Sequence, residues 1–468
     1  MNLAETFQTD RTKCSASPVE GATKLMISTL AGLLLLVSTG SNAVQLSPSG
    51  TGQALIVPIY STEGGFDTLL AVSNTHESSE SAVALKVNFI GTDEQIVGSF
   101  NVYLRSLSTW GLGLRRENDQ SISGQFTSGC VLQAGPDAGA ELINSLQFES
   151  SVGYVEIVEM GSISKSTLIQ ALDEGNCSVI EQYWTDILAD GGDPNAALDA
   201  PRGVVRANIA LINVARGTMY AINAIGLQNF RNSELHTPPG ESVPDLSSAD
   251  NDPDVTTSTN CYVMPCVVDE WSDPLDAVSA ALMAREVVGE YVINDAIGAR
   301  TEWVLTAPMM RFASDPDSAS RNTGAYLLLT DRQGERQQRE LIPGVGLPQP
   351  PFSRSFEEPM LIDRPLLSTY FTSELDPNSD DSILALPQSV PIPAQFNAGI
   401  MRAGFSRFDL FSEPAQTSLG GRKYFGAPVL GIILQEVNNG VIPSSDGSFR
   451  IAAYGNAFAL SYSLEETE

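Results

Sequence analysis

His76 and Glu77, inside "NTHESSES", occupy the first two positions of the H-E-x-x-H zinc-protease pattern, but residue 80 is Glu where the second histidine would have to stand. The other histidine, His236, lies in "ELHTPPG", and two histidines cannot build a His-rich zinc centre. Their polar, turn-forming neighbours place both in exposed loops. "SISK", Ser162 to Lys165, has the S-x-x-K spacing in which a lysine activates a serine. Its usual companion S-D-N is missing, "RNTG" at 321–324 is a poor echo of K-T-G, and G-x-S-x-G does not occur. A serine at a helix entrance is the plainer reading. Asp250, Asp252 and Asp254 in "DNDPD" match positions 1, 3 and 5 of a calcium loop, where alternate carboxylates converge on a hard cation. Val255 and Cys261 replace the glycine and glutamate that such a loop needs. These aspartates are a weak calcium candidate, and no other cofactor is expected.

A glycosidase-type pair of carboxylates is a further possibility, but a chain with 56 Asp and Glu offers too many candidates to choose one. Trp110, Trp184, Trp271 and Trp303 could line a sugar platform; burial in a core is the default for so large an apolar ring. No phosphate loop or dinucleotide fingerprint occurs. The catalytic residues are therefore unassigned.

Residues 1–43 read as an export signal. Arg11, Lys13 and Lys24 precede the apolar run "LMISTLAGLLLLV" (25–37), and Ser41 and Ala43 fit a cleavage site before Val44. The run is too short to cross a bilayer core, which takes roughly 20 residues, so no transmembrane segment is expected after cleavage. Of the five cysteines, Cys14 leaves with the leader; Cys130, Cys177, Cys261 and Cys266 remain. In an exported chain these read as two disulfides. "CYVMPC", bent by Pro265, closes a local Cys261–Cys266 ring and leaves Cys130 for Cys177. The net charge of −30 opposes binding to nucleic acid and to anionic membranes.

The elements that would position these groups are mostly strands. "VALKVNF" sets Val83, Leu85, Val87 and Phe89 on one face and Ala84, Lys86 and Asn88 on the other, the period of a half-buried strand. "GSFNVYL" repeats the alternation, and "TLLAVSN" with "VALKVNF" reads as a hairpin-like pair joined through "NTHESSES". "GYVEIVEMG" is another strand. "STLIQALDEG" and "NCSVIEQYWTDILADGG" read as helices stopped at Gly175 and Gly191. "ANIALINVARGTMYAINAIG" is a hairpin turning at Gly217. "DPLDAVSAALMAREVVGEY" (273–291) reads as one helix capped by Asp273, and "NNG" as a turn after Val437. The Pro-rich, then acidic stretch from Leu235 to Asn260 reads as a surface loop or linker.

The expected organisation is a signal peptide (1–43), an N-terminal β-rich domain with a helical insertion (44–234), an acidic linker with a local disulfide (235–272) and a C-terminal β-rich domain (273–468). The class is mainly β with a few helices, in antiparallel β-sandwich-like units. The phrases "GGFDTLLAVSNT", "FNVYLRSLSTW", "GYVEIVEMG", "INVARGTMYAINA", "AVSAALMAREVVGEY", "TEWVLTAPMMRF" and "GAPVLGIILQEVNNG" give a segment order that resembles an uncharacterised family of exported β-rich proteins of Gram-negative bacteria. The resemblance implies export and a shared fold and carries no activity to any residue. The leading expectation is a non-enzymatic structural or binding protein of the periplasm, cell surface or extracellular space, with a protein or glycan partner at the cell surface. The alternative is a secreted carbohydrate-active or other hydrolase using carboxylates.

Overall fold

The computed structural model describes residues 43–467 except 79–80, 119–121, 128, 136–139, 251–255, 259–267, 313–322, 336–359, 363–365, 374–381, 387–388, 393–395, 408–414, 444–448 and 464. Alternating sequence builds its first part. In chain order the main elements are β1 (Ala54–Ser61), β2 (Asp67–Asn74), β3 (Ala82–Gly91), β4 (Ile96–Arg105), β5 (Thr109–Arg116), β6 (Ile122–Phe126), β7 (Cys130–Ala134) and β8 (Val152–Ile163). Then come α1 (Ser166–Asp173), α2 (Cys177–Asp190), β9 (Val205–Asn213) and β10 (Thr218–Asn223). The first sheet runs β1-β8-β3-β4-β7 through its middle; the second runs β6-β5-β2-β9-β10. Their inner faces meet in one core holding Val83, Val87, Phe89, Phe100 and Trp110.

The expected pairing of β2 with β3 is not made. β2 lies between β5 and β9 in the second sheet, whereas β3 lies between β8 and β4 in the first. Both strands present an apolar face to the same core, so the chain crosses from sheet to sheet through the "NTHESSES" connection instead of folding back. The β9–β10 hairpin forms as expected, with Asn213 opposite Thr218 and Gly217 at φ +70°. Gly191 likewise ends α2 in the left-handed region, at φ +64°.

The second part contains α3 (Pro274–Ala281), β11 (Glu286–Val292), β12 (Ala299–Thr306), β13 (Thr323–Asp331), β14 (Leu366–Ser373), β15 (Ala398–Arg407), β16 (Leu430–Pro443) and β17 (Phe449–Ala459). One sheet has β13-β15-β11 at its centre and the other has β14-β12-β16-β17. The helix expected over 273–291 stops at Ala281. Asp273 caps it, accepting from the Leu275 N–H at 2.9 Å, but "EVVGEYV" pairs as a strand with β15. Its β-branched residues favour the pleat, and a Cβ on Gly289 would come within 2.1 Å of Ile433 Cδ1 and force that side chain to move. "NNG" is also not a turn: β16 runs through it with a register shift between Asn438 and Val441, a bulge that places Gly440 at φ +79°.

The fold is mainly β, with antiparallel sheets packed face to face, and residues 41–468 form one compact unit. The β12–β16 sheet is covered on both faces. Val304, Ile432 and Leu434 join the core of the first two sheets, while Trp303, Leu305 and Ile433 face the other side. Double coverage accounts for the continuous apolar run "VLGIIL". All four tryptophans are at most 3% exposed, as expected of core residues. Cys130 and Cys177 are joined, tying β7 to the first residue of α2. Cys261 and Cys266 lie outside the described residues. Among the described residues no helix is long and apolar enough to cross a membrane.

Candidate functional site: a strapped polar face

The outer face of the first sheet carries the unusual chemistry. Period two turns Lys86, Asn88, Ser99, Asn101 and Tyr103 away from the sandwich core, toward what should be solvent. Lys86, Asn88, Asn101 and Tyr103 are instead completely buried, each 0% exposed. The roof is the stretch 235–249, expected as an exposed loop or linker, together with α1 and α2. Three prolines in it, Pro238, Pro239 and Pro244, lack an N–H, and its carbonyls point down onto the sheet. Lys86 Nζ donates to Pro238 O at 2.8 Å, Asn88 Nδ2 to Ser242 O at 2.7 Å, Asn101 Nδ2 to Thr237 O at 3.0 Å and Ser99 Oγ to Glu241 O at 2.7 Å. Sheet side chains thus bind main-chain oxygens of the strap, and these buried donors and strap carbonyls satisfy one another.

His236 corrects its expected place in an exposed loop. It is 3% exposed, stacked on Trp184 with ring centres 3.7 Å apart, and its Nε2 is 2.9 Å from the Tyr103 hydroxyl. Burial, with the Lys86 charge adding to it, pushes its imidazole down to about 3. Burial likewise pushes the Lys86 ammonium down to about 7, against the pull of the Glu241 carboxylate. His76 does stay in the β2–β3 connection, partly exposed and in contact with Arg202 at 3.0 Å. Glu77 is exposed.

The far end of the strap is held by charge. Arg311 Nη2 lies 2.9 Å from Glu156 Oε2 and 2.7 Å from Asp245 Oδ2, and its Nε donates to Glu156 Oε1 at 3.2 Å. Glu156 comes from β8, Asp245 from the strap and Arg311 from the turn after β12, so one guanidinium joins three separate segments. Burial raises the Glu156 carboxyl, and Arg311 opposes the rise. Two other buried acids are also enclosed. Glu159 is pushed up to about 7 by burial while accepting from the Arg202 and Gly203 N–H groups. Burial raises Glu302, which accepts from Ser382 and the N–H groups of Ile383 and Leu384.

Among the described residues, clefts open to solvent include one of about 370 Å³ lined by Asp67, Arg115 and Glu117 among others, and two larger ones. One of the larger two, of about 450 Å³, is lined by Glu63, Asp93, Glu149, Thr92 and Ser150 among others. Its Glu63 is already paired with Arg116 at 2.6 Å. The other, of about 430 Å³, is lined by small and apolar residues, among them Gly226, Ala280, Leu282 and Leu430. No acid whose carboxyl is raised by burial among Glu156, Glu159 and Glu302 lines either cleft.

No family model, no curated protein and no solved structure matches this chain.

The serine and lysine of "SISK" part company: Ser162 is buried at the end of β8, and Lys165 precedes α1 with its ammonium 4.1 Å from the centre of the Tyr183 ring. Of the calcium candidates, Asp250 accepts from the Asn232 N–H at 3.0 Å, while Asp252 and Asp254 lie outside the described residues. Among the described residues no three His, Cys, Asp or Glu converge as metal ligands. Lys86, Asn88, Asn101, Tyr103, Glu156, Asp245 and Arg311 escaped notice as a group. One signal was available: Lys86 and Lys165 are the only lysines between the leader and Lys423, and Lys86 stands amid "VAL" and "VNF".

Proposed function

We propose that the chain is an exported, non-enzymatic structural or binding protein of the periplasm, cell surface or extracellular space, released from its signal at Ala43. What supports this reading is the use made of its reactive groups. Lys86, His236, Glu156, Glu159 and Glu302 are all enclosed, and each meets a strap carbonyl, a backbone N–H or another side chain of the fold. Polar chemistry of this kind fastens segments together; catalysis would need at least one such group at an open cleft. The leader and the paired cysteines fit an oxidising destination.

A hydrolase is the second reading, favoured by Asp93 and Glu149 on the wall of the larger cleft. Fractionation with N-terminal sequencing tests export, and Val44 is the first residue expected. Parallel glycan-binding and glycoside-hydrolysis panels test the rest. Binding without turnover is expected. Turnover lost in both Asp93→Asn and Glu149→Gln overturns the non-enzymatic reading.

A further inference from the structure

We propose that Lys86 and Asn101 become joined by an amide bond between their side chains, an internal cross-link between β3 and β4. The two residues are directly opposite each other in the antiparallel ladder, where Cβ atoms lie about 5 Å apart. Both are fully buried. Lys86 Nζ and Asn101 Nδ2 are bound to the carbonyls of consecutive strap residues, Pro238 and Thr237. The strap therefore gathers the amine and the amide side by side. Among the described residues the Asn101 Oδ1 and the Asn88 Oδ1 are both buried without a hydrogen-bond partner, so it is position that chooses between the two amides. Asn88 is the less suitable acceptor. It lies two residues along the same strand, and its amide nitrogen is drawn away toward Ser242 O and Pro244 O.

The step balances without oxidant or reductant. The Nζ lone pair adds to Asn101 Cγ, the new C–N bond forms, and the Cγ–Nδ2 bond breaks to release ammonia. One Nζ proton passes to the departing nitrogen. The departing Nδ2 donates to the Tyr103 hydroxyl at 3.4 Å, and that hydroxyl lies 2.9 Å from His236 Nε2. The amine is available as a nucleophile because burial lowers its proton affinity to about 7. Enclosure beneath the strap makes the aminolysis intramolecular, so it carries no cost of bringing two molecules together. Because both side chains are gathered by strap carbonyls, the bond would form after folding has closed the strap.

Intact-mass measurement of the purified mature chain, with its disulfides reduced, decides the matter. The expected mass falls short of the sequence by one ammonia. Fragmentation of a proteolytic digest should yield one branched peptide joining Lys86 to Asn101. Lys86→Met and Asn101→Ala should each restore the full mass. Because the wild-type mass is itself decisive, poor folding of either variant leaves the test intact. A wild-type mass equal to the sequence overturns the proposal, as does a branch to Asn88 or a deficit that persists in both variants.

Discussion

Replacing Arg311 by Met removes one guanidinium and strands two carboxylates. Arg311 makes three charge-assisted bonds, at 2.7, 2.9 and 3.2 Å, to acids that are 0% and 7% exposed in their side chains. Deleting one partner of such a buried set costs about 3–5 kcal/mol, because the remaining charge is left without compensation. Proton uptake limits the loss. With Arg311 gone, burial acts unopposed by that cation on Glu156, whose carboxyl is already raised. A raised carboxyl keeps its proton in the folded chain where the unfolded chain has lost it, so stability falls as pH rises above the unfolded value and through the folded one. The deficit of the variant should therefore be full at pH 8 and shrink toward pH 5, by up to about 1.4 kcal/mol per pH unit. Urea unfolding followed by the fluorescence of the four buried tryptophans measures it. Adding Glu156→Gln should recover part of the loss. A deficit below about 1 kcal/mol at pH 8, or one that grows toward acid, would refute the view that this guanidinium holds the strap.

Replacing both Cys130 and Cys177 by Ser opens a loop with a sequence separation of 47 and should cost about 4 kcal/mol on the loop-entropy account, read as a lower urea midpoint. Glu159 should lose roughly 3 kcal/mol of its contribution between pH 4.5 and about 7, since the folded chain alone keeps that proton; Glu159→Gln should flatten the stability profile there, and an unchanged slope rejects the assignment. Val87→Asp places a carboxylate in the first core and should abolish folding, whereas His76→Ala with Glu77→Ala should leave the circular dichroism spectrum and melting point unchanged.

Period two made the strands readable, and it misled about what lies above them. "VALKVNF" and "GSFNVYL" correctly assign Val87 and Phe100 to a core. The same pattern sends Lys86 and Asn101 to solvent, because alternation reports which residues share a face and says nothing about a cover supplied 150 residues later. Proline and polar content made 235–249 look like a linker. Those residues also suit a segment whose carbonyls bind a sheet, and composition cannot separate the two. The β2–β3 crossing was hidden for a related reason: two apolar faces turned to one core look alike whether their strands pair side by side or lie in opposite sheets. The helix over 273–291 was right for its capped first half, where Asp273 and Pro274 act locally. Its second half pairs as a strand with β15, more than a hundred residues further along the chain. The Arg311 triad joins residues from three distant segments and left no local trace.

Because the sheet holds the strap by its carbonyls, the contacts at Thr237, Pro238, Glu241 and Ser242 are indifferent to which side chains those residues carry. Such a seam acts as a ruler. What the sheet reads is the spacing of the carbonyls, although the Thr237 hydroxyl also bonds Val243 O within the strap. Adding or removing a single residue between Thr237 and Ser242 would set every later carbonyl out of step with Lys86, Asn88 and Ser99 and pull Asp245 off Arg311. A change in the length of this stretch should therefore be ruinous, whereas an exchange at Ser242, whose carbonyl is what the sheet holds, should be cheap.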